Sequence, residues 1–111
     1  MEKEFITYEQ ALSLMELGFE FGSRLIYGEI VEPPPKYQVF RWFREKYEFH
    51  YHIFPLGITH EKTGYRYSWE IYNHTPEWIA EDNSPLGSLT YEEAEDACID
   101  KLIEIAKNQI S

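Results

Sequence analysis

Two histidines one residue apart, His50 and His52 in the stretch "YEFHYHIF", are the first residues whose type and spacing could do chemistry. In an extended strand positions i and i+2 share a face, so both imidazoles would project to the same side. Neutral imidazole is a common metal ligand. Glu70 and Arg66 occupy outward positions of the next alternating stretch, "YRYSWEIY", which makes a metal or small-ligand site on an outer sheet face one reading. A metal centre needs three or four converging donors, and the alternative is a solvated sheet face.

A second constellation surrounds Trp42 in "KYQVFRWFREKY". At helical pitch Phe40, Phe43 and Tyr47 fall on one face with Val39 alongside, while Trp42 falls opposite, among Gln38, Arg41, Glu45 and Lys46. A tryptophan off the core face is either covered by another part of the chain, for which "EIVEPPP" is the candidate, or presented to a partner. Trp42, Arg41, Lys46 and Gln38 are accordingly the candidate partner-binding residues. The basic group Lys36, Arg41, Arg44 and Lys46 could attract an anion or pair with the chain's own acids.

Little points to catalysis. The sequence has no glycine-rich phosphate loop and no nucleophile elbow. Its single cysteine, Cys98, falls on an apolar helical stripe, where a thiol is a packing residue. One cysteine also rules out an internal disulfide or a multi-cysteine zinc site. The expectation is a non-enzyme that needs no cofactor.

The net charge is −10 from 20 acidic and 10 basic residues, unevenly spread. Residues 1–35 carry −5, residues 36–75 carry +2 and residues 76–111 carry −7. The two ends repel phosphate and anionic lipid, so direct nucleic-acid or membrane binding is not expected. No charged-then-apolar segment opens the sequence and no apolar run reaches membrane-helix length, which points to the cytoplasm. A length of 111 residues with 43% hydrophobic content suits one domain spanning 1–111.

These residues must be held by a small set of elements. "TYEQ" and "TYEE" are capping boxes that start helices after Thr7 and Thr90, with Gln10 and Glu93 reaching back. The first helix is predicted over 8–17, with Tyr8, Ala11, Leu12 and Met15 on its apolar side and Gly18 as its stop. A short strand is possible near 25–27, and three prolines then lead into the Trp42 helix. The alternating stretches predict strands ending in inward Phe49, Tyr51 and Ile53, and in inward Tyr65, Tyr67, Trp69 and Ile71. "EWIAE" is a third strand, followed by the loop "DNSPLGS". The last helix, 91–108, carries two apolar stripes: Ala94, Cys98, Leu102 and Ile105, then Ile99, Ile103, Ala106 and Ile110. The sheet covers one stripe; the first helix, or a second copy in a homodimer, covers the other.

The expected fold class is therefore α+β, in the order α-(β)-α-β-β-β-α. It has a three-stranded antiparallel meander packed by the C-terminal helix, with two further helices toward the N-terminus. From Phe40 onward the order resembles that of a double-stranded-RNA-binding domain, in topology only. Where that family needs lysines, at the start of the final helix, this chain has Glu92, Glu93, Glu95 and Asp96. The stretches "ITYEQALSLMELGF", "VFRWFREKY" and "TYEEAEDACIDKLIEI" together resemble a family of small hypothetical proteins met in gut anaerobes and their phages. That resemblance implies a phage or mobile-element origin and no particular chemistry. The expectation is a non-catalytic module that binds another protein. A ligand or metal binder on the outer sheet face is the first alternative. An acidic mimic that inhibits a nucleic-acid-binding protein is the second.

Overall fold

The computed structural model describes residues 4–30, 32–58, 65–73, 78–82, 88 and 90–110. His60, His74 and most of the "DNSPLGS" loop lie outside the described residues.

Helix α1 (Tyr8–Glu16) begins at the expected capping box. The Gln10 amide N–H donates to Thr7 Oγ1 at 3.0 Å, and the Thr7 N–H donates to Gln10 Oε1 at 2.9 Å. It ends in a paired closure in which Gly18 N–H reaches the Met15 carbonyl and Phe19 N–H reaches the Leu14 carbonyl. Gly18 sits at φ +95°, a conformation that costs a glycine nothing. This turn redirects Phe19 back toward the body of the protein.

A two-stranded hairpin follows, β1 (Leu25–Ile26) paired with β2 (Glu29–Ile30). The single short strand expected near 25–27 is thus half of a hairpin. Its two turn residues, Tyr27 and Gly28, both have positive φ, as tight two-residue hairpin turns require. Helix α2 (Lys36–Tyr47) starts at Pro35 and buries Val39, Phe40 and Phe43. Strands β3 (His50–Ile58), β4 (Tyr65–Tyr72) and β5 (Trp78–Glu81) form an antiparallel sheet in that order. Phe49, Trp69 and Ile71 join the core from the sheet side, and Phe40 stacks on Tyr51 with ring centroids 3.8 Å apart. Ser88 exchanges two backbone hydrogen bonds with Tyr67, drawing the chain across the sheet just before helix α3 (Tyr91–Ile110).

The protein is therefore α+β: the described residues form three α-helices and a three-stranded antiparallel sheet packed against the C-terminal helix. One cluster of buried side chains joins all three helices to the sheet.

One expectation is corrected. The inner face of α1 is Gln10, Ala11 and Leu14, whereas Tyr8 is 57% and Leu12 41% exposed. Gln10 is tolerated inside because its side-chain amide donates to the Asp96 carbonyl and to Asp100 Oδ1 on α3. The second stripe of α3 was expected to be covered by the first helix or by a second copy; Ile99, Ile103 and Ala106 are buried within the chain, and α1 packs on α3.

Candidate functional site

The solvent-side stripe of α2 is built by helical spacing. Gln38, Arg41, Trp42, Glu45 and Lys46 recur at i, i+3, i+4, i+7 and i+8, so they must share one face. The α1 closure brings Gly18, Phe19 and Glu20 against that stripe, and the two segments line a groove of about 460 Å³. All four sequence-selected partner residues, Gln38, Arg41, Trp42 and Lys46, fall in it.

Trp42 is half-buried and forms the wall of this groove. Its ring meets Phe19, Phe43 and Tyr47 edge-on, at centroid distances of 5.3, 5.0 and 5.6 Å. The cover is therefore Phe19 from the α1 closure; the sequence had offered "EIVEPPP" for that place. Lys46 Nζ lies 5.2 Å from the centre of the Trp42 ring and 3.5 Å from the Leu17 carbonyl at the end of α1. A cation over an indole and at a helix C-terminus is favourable on both counts. Gln38 accepts a hydrogen bond from Arg24 Nη2 at 3.0 Å. Arg41 is exposed and makes no ion pair among the described residues.

The outer sheet face is partly assembled. Register sets His52 directly opposite Glu70, and His50 opposite Tyr72. Both histidines are exposed, and Arg66 lies on the same face as Glu70, half-buried. The Tyr72 hydroxyl donates to the Glu70 carboxylate, so that carboxylate is already engaged. Among the described residues no three His, Cys, Asp or Glu side chains converge on a metal position.

The acid-rich start of α3 is engaged from inside the protein. Lys36 is only 3% exposed; its Nζ lies 3.2 Å from Asp96 and 3.8 Å from Glu95, and donates to the Glu92 carbonyl. Asp100 accepts from Gln10, and Glu104 pairs with Lys101. Burial raises the Glu95 carboxyl above its usual range, opposed by Lys36 and reinforced by Glu92 and Asp96. Burial, with Glu95 adding to it, also pushes the Cys98 thiol up, so it stays protonated. The Tyr51 and Tyr91 hydroxyls are raised mainly by burial.

No protein-family model, curated protein or solved structure matches this chain. The likeness to a double-stranded-RNA-binding domain accordingly stays one of element order. No helix among the described residues is long and apolar enough to cross a membrane.

One part of the site was not read from the sequence. Phe19 and Glu20 enter only through the tertiary placement of the α1 closure, for which no local signal exists. Lys36, read from the sequence as a cation that attracts an anion or pairs with the chain's own acids, lies against Asp96 and Glu95.

Proposed function

We propose that this protein is a non-catalytic interaction module, cytoplasmic and of phage or mobile-element origin, whose partner is another protein. One observation carries the reading: Trp42, Arg41, Gln38 and Lys46 line a single groove, with an aromatic wall and an exposed arginine beside it. Tryptophan and arginine dominate the energetics of protein interfaces because they combine large contact area with directed hydrogen bonds. The resemblance of three sequence stretches to small proteins of gut anaerobes and phages supports the assigned origin.

A photo-crosslinking side chain in place of Glu45, which is exposed and lines the groove, tests the reading in cells. The same group at Glu104, exposed on α3, is the control. A protein captured from position 45 and not from position 104 supports the groove. The opposite pattern moves the interface to the acidic helix and defeats the proposal.

A second reading keeps the outer sheet face as a ligand or metal site, because register places His52 against Glu70. Calorimetric zinc titration of the wild type and of a His50→Ala/His52→Ala double variant decides it. Equal heats from both proteins would remove this reading.

A further inference from the structure

The groove on α2 also constrains what covers it before a partner arrives, on the footing of the interaction reading above. Its charges cancel: Arg41 and Lys46 stand against Glu20 and Glu45, around the rings of Trp42 and Phe19. Such a groove gives no net attraction to a cationic or an anionic guest. It suits an uncharged aromatic side chain, which meets the two rings edge-on and turns a polar end to the charged rim.

The chain itself presents such a side chain. Tyr27, at the tip of the β1–β2 hairpin, is fully exposed, and Ile26 before it is exposed as well. The Tyr27 φ of +53° is one that glycine or asparagine adopts more readily than tyrosine. Full exposure leaves no contact within the chain to offset that backbone cost, so the ring's contacts have to come from outside. The hairpin is held at its base, where Leu25 and Ile30 pack against the core. Arg24 Nη2 there donates to Gln38, a groove residue, at 3.0 Å. Tyr27 follows Arg24 by three positions and so lies within about 11 Å of it. Peg and groove are thus neighbours on one molecule, and a two-fold axis lets two copies exchange them in a closed dimer. We propose that the groove, when free of its partner protein, takes Tyr27 of a second copy of this chain, each hairpin tip docking against Trp42 of the other copy. The partner protein then has to displace that second copy.

The test is sedimentation equilibrium of the purified full chain up to millimolar concentration, beside a Tyr27→Asn variant. Asparagine before glycine is a favoured pair for this turn, so the variant removes the ring and keeps the hairpin. The proposal expects a wild-type dimer whose dissociation constant rises about tenfold or more in the variant, a loss of about 1.4 kcal/mol. Each copy carries a net charge of −10, so association should strengthen with salt. The Trp42 indole N–H resonance should move with concentration in the wild type and stay still in the variant. Equal association of the two proteins puts the contact elsewhere and overturns the proposal. A wild type that stays monomeric overturns it too, and leaves the groove to another protein. Association lost in the variant while the wild-type Trp42 resonance never moves overturns the groove as the seat of Tyr27. The interaction reading fails on its own measure, capture from position 104 in place of position 45.

Discussion

Lys36 is the residue on which the packing of α2 against α3 turns. Its ammonium is buried, and two carboxylates and a helix carbonyl hold it. Replacing it with methionine keeps the volume and strands Glu95 and Asp96. Removing one member of a buried pair costs about 3–5 kcal/mol, and the partial exposure of Asp96 puts Lys36→Met at or below the lower end. Urea unfolding at neutral pH measures it. Glu95 makes the complementary case. Its raised value means that the folded state holds the Glu95 proton more tightly than the unfolded chain does. Stability is therefore lost as pH rises from the ordinary glutamate value through that of folded Glu95. Glu95→Gln should flatten this loss and unfold at higher urea than the wild type at neutral pH, with no gain at acid pH. A third residue, Cys98, is buried with its thiol pushed up, so iodoacetamide should label it only after unfolding. Of these three, the sequence showed only Cys98 as a core residue. The pairing of Lys36 with Glu95 spans 59 positions, and nothing in local pattern reports a contact at that separation.

Among the elements, those with strong local devices were legible. The prolines before Lys36 marked the start of α2, and strict alternation marked β3 and β4. The β1–β2 hairpin was half seen because its turn is Tyr27-Gly28, and a tyrosine at positive φ lacks the usual Asn or Asp signal. The face of α1 was misread for a different reason. A hydrophobic count favours Tyr8 and Leu12, but α3 offers a carbonyl and a carboxylate that satisfy the Gln10 side chain. The groove was legible on its α2 side, where spacing fixes a stripe, and illegible on the Phe19 side, which only tertiary packing supplies. The two capping boxes, alike in sequence, also differ in the fold. At α1 both reciprocal bonds form, whereas at α3 Glu93 N–H donates to Thr90 Oγ1 and the return bond is absent among the described residues. Thr7→Ala should therefore cost about 1 kcal/mol and Thr90→Ala about half that. Gln10→Ala should exceed both, at about 2–3 kcal/mol, because it also removes two bonds to α3 at about 1 kcal/mol each. Chemical denaturation of the three variants orders them.

For the molecule as a whole, net charge sets the response to salt. With 20 acids against 10 bases the folded chain repels itself, and the described ion pairs at α3 neutralise only a few of those acids. Raising salt from about 10 mM to about 0.5 M shortens the Debye length from about 30 Å to below 5 Å and screens that repulsion. The Lys36 pair is shielded from solvent on its cationic side and loses little. Thermal unfolding should thus move to higher temperature with salt. Melting curves taken along one salt series measure it. A melting temperature that falls with salt would mean that surface attractions outweigh the net charge.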